Sequence, residues 1–220
     1  MTTATDHALN TALSDAARGV FPPADGRAVA VGALDGPCDM MAFFAHHVIV
    51  AADVEQNWLD EQYVDRVGLG GSDPSTGLGK LIGAVTERLG NPAVYASMTC
   101  AAPPRSAYLN GKIEENGEPD SGWAAYRTDI RCFQYSSPGA AGAFAVGRGP
   151  GGRWDVFFRV DEGPGGRVGR ELLAAAKTVI PTGATLFGST PLHDHRVTRI
   201  AIASGFQPIC TEVLFLTRPQ

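Results

Sequence analysis

The sequence predicts an α/β protein, because segments with strand and helix periodicity alternate along most of the chain. Val-rich and Phe-rich runs such as Trp154 to Asp161 are typical of strands, and apolar residues at helical spacing, as in Val168 to Ala176, are typical of helices. Of the 220 residues, 44% are hydrophobic, which is enough for a buried core.

The composition argues against two classes of partner. A net charge of −5 with 19% charged residues provides no broad basic surface, so we expect no nucleic-acid binding. The most apolar run, Met40 to Val54, is interrupted by His46 and His47, so we expect no membrane span. The first residues lack a signal-peptide pattern, so we expect a cytoplasmic location. We also expect the four widely spaced cysteines to be reduced. The frequent use of Ala, Gly and Arg fits a bacterial protein.

The first hundred residues contain three predicted helices and three or four predicted strands, because the stretch from Arg27 to Ala52 forms two or three of them. Two helix N-caps are predicted. The first is Asp53, with Gln56 three residues later, and the second is formed by Ser72 and Asp73, directly before Pro74. The predicted helices are Ala8 to Arg18, Val54 to Val67 and a run from Pro74 that ends at Gly90; the predicted strands are Arg27 to Leu34, Met40 to Ala45, His47 to Ala52 and Ala93 to Cys100.

The stretch from Ala101 to Trp123 is rich in proline and contains two Asn-Gly pairs, which predicts a linker or mobile loop. Long structureless loops are uncommon inside compact folds, so this stretch marks the predicted domain boundary. The predicted organisation is an arm (1–26), an N-terminal α/β region (27–110), a linker (111–123) and a C-terminal domain (124–220).

The C-terminal domain shows a regular order of elements. Its predicted strands are Tyr126 to Tyr135, Ala141 to Gly147, Trp154 to Asp161, Ala184 to Ser189 and Ile209 to Leu216; its predicted helices run from the Gly163 to Gly169 loop to Thr178 and from Asp194 to Ser204.

A glycine-rich loop that follows a strand and opens a helix suits a phosphate group, because backbone amides and the helix dipole converge there. Gly165 to Arg170 is therefore the leading candidate site, although such a turn can also be a simple connection. The dinucleotide fingerprint fails, because Val168 occupies its last position. Pro74 to Leu81 lacks the first glycine and the hydroxyl of a P-loop, so Lys80 is interpreted as a solvated helix residue.

The order of features over residues 124–218, with the ending Arg199 to Phe206, resembles the core of the GNAT superfamily of acyl-CoA-dependent N-acyltransferases. The resemblance implies a mixed, mostly antiparallel sheet flanked by helices. It also implies that acetyl-CoA or another acyl-CoA is co-substrate and that a small-molecule amine is the acceptor. The N-terminal region is then a degenerate GNAT half or a substrate cap, and a homodimer is left open.

The resemblance also implies the site residues. The backbone around Val160 and Asp161 would contact the thioester oxygen, and the loop would hold the diphosphate. The loop residues are Gly165, Gly166, Arg167, Val168, Gly169 and Arg170, with Asp194 at the start of the last helix. The loop diverges from the family pattern: Pro164, Arg167 and Gly169 occupy its three positions, and only the last one matches.

Alanine occupies position 201, where many members carry a proton-donating tyrosine, and sequence order suggests Ser189 as its substitute, with His46 or His47 as the further candidates. His193-Asp194-His195 is interpreted as a helix cap in preference to a metal site. Two alternatives to acyl transfer stay open. One is a binding or assembly module that has lost the chemistry, and the other is a different reaction on a CoA-bound or carrier-bound substrate.

Overall fold

The computed structural model describes residues 7–63, 74–104, 111–119 and 121–216. The chain forms two compact units. The first contains Met1–Ser97 and Cys210–Gln220, and the second contains Met98–Ile209.

The elements of the first unit are α1 (Ala8–Ala17), β1 (Arg27–Ala30), β2 (Cys38–Phe44), β3 (His47–Ala51), α2 (Gln56–Gln62), α3 (Pro74–Arg88), the first part of β4 (Ala93–Ala102) and most of β10 (Gln207–Leu216). Its strand order is β1-β3-β2-β10-β4. The strands β2 and β3 form an antiparallel hairpin, β1 pairs with β3 in parallel, and β10 pairs with β2 antiparallel.

The β2–β3 hairpin explains the adjacent histidines. Phe44 pairs with His47, so Ala45 and His46 form the two-residue turn. His46 has a φ of 56°, the left-handed conformation that such a turn requires, and its side chain is exposed. His47 begins β3 and is buried.

The elements of the second unit are the second part of β4, β5 (Lys112–Glu115), α4 (Ser121–Ala124), β6 (Thr128–Ser137), β7 (Ala140–Arg148), β8 (Trp154–Glu162), α5 (Gly165–Val179), β9 (Leu186–Pro191) and α6 (His195–Ala203). Its strand order is β4-β9-β8-β7-β6-β5. The pairs from β5 to β8 are antiparallel, and β9 joins β8 in parallel. The predicted mixed, mostly antiparallel sheet flanked by helices is confirmed.

The core of the second unit lies beneath α5. The helix buries Val168 and Leu172 in one cluster with Phe144 and Val146 of β7. A polar contact fixes the helix further, because the buried Tyr135 hydroxyl donates a hydrogen bond to the Glu171 carboxylate at 2.9 Å. The predicted amphipathic helix after the glycine-rich loop is confirmed.

Two local predictions were wrong. The predicted linker 111–123 contains β5, which pairs with β6, and the short helix α4. The predicted cap at Asp53 does not form, because α2 begins after Glu55 without a side-chain cap. The Gln56 amide bonds instead to the backbone of Ala28 and Ala30 in β1. The predicted cap at Ser72 and Asp73 lies outside the described residues.

The compact units also differ from the predicted domains. The division falls after Ser97 within β4, and from Cys210 onward β10 belongs to the first unit. The reason is strand pairing: β10 forms a six-residue antiparallel ladder with β2, a partner that is remote in sequence.

Candidate functional site

The strands β8 and β9 separate after a short parallel contact. Their ladder contains two pairs, Trp154 with Leu186 and Asp155 with Phe187, at the beginning of both strands. Beyond Asp155, the β9 side of β8 has no strand partner in this ladder, although both strands are fully described. The sheet therefore opens as a wedge toward the carboxyl ends of β8 and β9, where α5 and α6 begin.

The N-terminus of α5 lies at this open end. The amides of Arg167 and Val168 bond to the Pro164 carbonyl, so the amides of Gly165 and Gly166 precede the intrahelical bonds and remain available. Pro164 provides no side-chain cap, and the first turn contains no acidic residue. A Cβ at Gly165 would meet no atom within 4 Å. An anion can therefore approach these amides directly.

The N-terminus of α6 differs in this respect. The Asp194 carboxylate accepts hydrogen bonds from the amides of Arg196 at 3.0 Å and Val197 at 3.2 Å. This confirms that Asp194 is a helix cap. Because a carboxylate already occupies these amides, α5 provides the better anion site of the two helix ends.

The two loop arginines have different surroundings. The Arg167 guanidinium donates to the Gly139 carbonyl at 3.1 Å and lies 3.6 Å from the Glu171 carboxylate, so it is held by the β6–β7 turn. Arg170 is exposed, and its Nη1 lies 4.0 Å from the position that a Cβ on Gly166 would take. Of the two, Arg170 is the cation beside the available amides.

The other loop residues in the predicted site have packing roles. Val168 is fully buried in the core. A Cβ on Gly169 would lie 2.9 Å from the Ile200 side chain and 3.2 Å from Phe158, so this glycine allows α5 to approach α6 and β8 closely. Both residues shape the site without presenting groups to a ligand.

The strand before the loop is irregular at the predicted oxyanion contact. Val160 pairs with Gly142, and Glu162 pairs with Ala141, so Asp161 is an extra, bulged residue in β8. The Asp161 carboxylate accepts a hydrogen bond from Arg159 Nε at 2.7 Å. A bulge redirects backbone groups, and here it does so at the open edge of the wedge.

Ser189 lies on β9 beside a buried charge cluster that was not predicted. Arg153 Nη2 lies 3.4 Å from Ser189 Oγ, and Arg153 Nε donates to Asp155 Oδ1 at 2.8 Å. Arg127 contacts the other oxygen of Asp155 at 2.9 Å. These three charged side chains are at most 2% exposed. The signal in the sequence was an Arg directly before an apolar strand and an Asp two positions later, a spacing that places both side chains on one face of an extended segment.

His47, the other predicted catalytic residue, belongs to the first unit. Its Nδ1 lies 2.9 Å from Asp25 Oδ1. The hydrogen bond with His47, opposed by desolvation and reinforced by the Arg27 amide, lowers the pKa of Asp25. The pair is a carboxylate-oriented imidazole, an arrangement that can serve proton transfer.

No three His, Cys, Asp or Glu side chains come together as metal ligands within the part of the chain that the structure describes. His193 and His195 flank the capping Asp194 and are exposed. Among the described residues, no helix is both long enough and apolar enough to span a membrane.

A cavity of about 480 Å³ lies at the opposite end of α5, lined by Lys177, Thr178, Pro103 and Pro104 among others. Twelve residues of helix separate Gly165 from Lys177, a rise of about 18 Å. Its lining is polar and apolar in about equal parts, and Lys177 Nζ donates a hydrogen bond to the Ser204 carbonyl at 2.7 Å. The cavity is therefore separate from the amides of the α5 N-terminus.

Comparisons with known proteins return solved structures only. No protein-family model matches the chain, and no curated protein matches it. An acetyltransferase of the GNAT family from Novosphingobium aromaticivorans matches at 14% identity and a TM-score of 0.36. The match covers 57% of this chain and 66% of that protein, so the chain spans slightly less than two thirds of that protein's length. A GCN5-related N-acetyltransferase from Kribbella flavida matches at 12% identity and a TM-score of 0.35, over 67% of this chain and 77% of that one.

Proposed function

We propose that the protein is an N-acyltransferase that moves an acetyl or other acyl group from CoA to a small-molecule amine. The observation that carries the proposal is the uncapped N-terminus of α5, placed where β8 and β9 separate. A diphosphate needs converging amides and a nearby cation, which Gly165, Gly166 and Arg170 supply. The pantetheine arm of the co-substrate would then follow the open edge of β8.

Transfer requires that the thioester oxygen be stabilised as the tetrahedral intermediate forms. The backbone at Val160 and the bulged Asp161 is the candidate donor, because it lies on the edge of β8 that β9 leaves unpaired. Ser189 is the candidate proton donor to the leaving thiolate. Its Oγ lies 3.4 Å from the guanidinium of the buried Arg153, which would stabilise negative charge that develops on the hydroxyl as the proton leaves.

Thiol release from acetyl-CoA and longer acyl-CoAs, followed with a panel of primary amines and with mass spectrometry of the products, tests the proposal. We expect thiol release that depends on the amine, together with an N-acylated product. CoA binding without thiol release would favour the binding module, and thiol release without an N-acylated product would favour another reaction on the thioester.

A further inference from the structure

The sheet of the second unit has a second face, opposite α5, which we call the open face. Even-numbered residues of β8, such as Val156 and Phe158, pack in the core beneath α5. Because side chains alternate along a strand, the odd-numbered residues Asp155, Phe157 and Arg159 lie on the open face. The bulged Asp161 lies beside them, because its carboxylate accepts a hydrogen bond from Arg159 Nε.

Two aromatic rings form a wall on the open face. Trp123 of α4 and Phe157 of β8 have ring centroids 6.1 Å apart and planes inclined by 40°. A Cβ on Gly147 of β7 would lie 3.4 Å from the Trp123 ring, so the indole rests on that glycine. Both aromatic side chains are half-buried, so part of each ring faces solvent.

A buried ion pair fixes the position of Trp123. Arg127 Nη1 donates to the Trp123 carbonyl at 2.7 Å, and its guanidinium lies 4.5 Å from the indole centroid. The same guanidinium bonds to the Asp155 carboxylate at 2.9 Å. Because both charged groups are buried, the ring is held in one place and can contact a ligand with little loss of side-chain freedom.

Small side chains of β7 lie beside this wall. Ala143 and Ala145 of β7 pair with Arg159 and Phe157, and Gln134 of β6 pairs with Ala143 from the other side. Ala145 is buried, and Ala143 is half-buried beside the exposed Gln134, so the accessible part of this surface lies at Ala143. Arg159 is exposed, and its planar guanidinium can stack on an aromatic ring.

Resting on the proposed acyl transfer, we infer that the acceptor is an aromatic amine whose rings lie against Trp123 and Phe157 and beneath the guanidinium of Arg159. Phe157 precedes Val160 by three residues, a distance of about 10 Å along the strand. This is about the length of a bicyclic amine that reaches from Phe157 to a thioester held at Val160. An alkylammonium acceptor would need a carboxylate as its partner, and the Asp161 carboxylate beside this surface is already paired with Arg159. The two aromatic rings therefore favour an uncharged aromatic acceptor.

The chemistry of an aromatic amine also fits the residues at the wedge. Acyl transfer needs an uncharged amine, and an aromatic amine is uncharged near neutral pH without a general base. The nitrogen lone pair forms the C–N bond with the thioester carbonyl, the C–S bond breaks, and CoA leaves as thiolate. One proton passes from the nitrogen to the sulfur through solvent or Ser189, which gives the amide and the free thiol.

Direct binding of aminonaphthalene tests the inference, with decahydronaphthol as the uncharged, saturated ligand of the same ring skeleton. Ligand-observed NMR is recorded on the full chain with and without CoA, and acyl transfer is assayed in parallel. We expect saturable binding of aminonaphthalene that Trp123→Ala and Phe157→Leu each weaken at least about fivefold, since ring stacking exceeds the loss of contact area alone. Phe21→Ala, which removes an exposed aromatic ring of the first unit, is the control and should leave binding unchanged.

The outcomes separate this inference from the proposed function. If CoA binds and other amines are acylated while aminonaphthalene does not bind, or binds no better than decahydronaphthol, the inference of an aromatic acceptor is overturned and the proposed acyl transfer stands. If CoA fails to bind, the proposed function falls, and the NMR titration still decides whether the open face binds aromatic rings. Binding that survives both substitutions in the aromatic wall would also overturn the inference.

Discussion

The substitution Gly166→Asp separates a role in ligand binding from a role in folding, because the two are expected to change in opposite directions. Gly166 lies in the first turn of α5, and the nearest atom to a Cβ there is Arg170 Nη1 at 4.0 Å. The new carboxylate would therefore fit without a clash and would lie next to the amides that we assign to the diphosphate.

The folded state should become more stable. Replacing glycine by aspartate in a helix gains about 0.3 kcal/mol of propensity, and a carboxylate in the first turn gains about 0.3–1 kcal/mol from the helix dipole. The sum of about 1 kcal/mol corresponds to a rise in Tm of about 2–4 °C for a chain of this size.

Binding of CoA should become weaker. A unit negative charge about 6 Å from a doubly charged diphosphate is repelled by about 1.4 kcal/mol even at the dielectric constant of water, which is tenfold in Kd. Competition of the carboxylate for the same amides adds to this loss. We therefore expect a Kd at least about tenfold higher at low salt.

Calorimetric titration with CoA and thermal unfolding without ligand measure the two effects on the same samples. Gly83→Asp is the matched control, because Gly83 is an exposed glycine of α3 in the first unit, and a Cβ there would meet no atom within 4 Å. A Gly166→Asp variant that is more stable and binds CoA like the wild type would refute the assignment of the diphosphate to α5. Equal weakening by both variants would point to the net charge of the protein.

Four further outcomes are expected. Arg170→Ala should weaken CoA binding, measured by calorimetry, more than Arg167→Ala does. The reverse order would show that Arg167 leaves the Gly139 carbonyl and binds the diphosphate. Ser189→Ala should lower turnover at least tenfold with little change in acyl-CoA affinity if it donates the proton; an unchanged kcat would exclude that role. The pKa of the Tyr135 hydroxyl is raised, mainly by burial. The neutral hydroxyl therefore stabilises the folded state below about pH 10, and this stabilisation is lost as the pH rises and the hydroxyl ionises. Tyr135→Phe should reduce the loss of stability at alkaline pH in a pH–stability curve. Gly149→Ala would place a Cβ against the buried Asp155 carboxylate, so we expect the free energy of unfolding, measured with denaturant, to fall by more than about 2 kcal/mol. A fall of less than about 0.5 kcal/mol would show that Asp155 and its arginine partners move aside.

Local patterns in the sequence predicted most of the helices and strands. The cap at Asp194 and the amphipathic face of α5 depend on residues close together in the chain, and both predictions are confirmed. The pairing of β10 with β2 joins segments about 170 residues apart, which no local pattern encodes. For the same reason, the short strand β5 in the proline-rich stretch was mistaken for a linker.

The candidate site shows the same division. The glycine-rich turn located the available amides, since a glycine at a helix start has a local signature. The different surroundings of Arg167 and Arg170 depend on the β6–β7 turn, which lies about 30 residues earlier. The buried ion pair between Arg127 and Asp155 also depends on tertiary packing. The same is true of the aromatic wall, because this ion pair fixes the position of Trp123.

Titration of the wild-type protein with acetyl-CoA in a calorimeter measures whether the chain binds the proposed co-substrate, with free adenosine nucleotides as controls. We expect saturable binding of one acetyl-CoA per chain, tighter than that of the adenosine nucleotides, because the wedge between β8 and β9 would add contacts to the thioester arm. An absence of binding heat at saturating acetyl-CoA, together with an unchanged Tm, would contradict it.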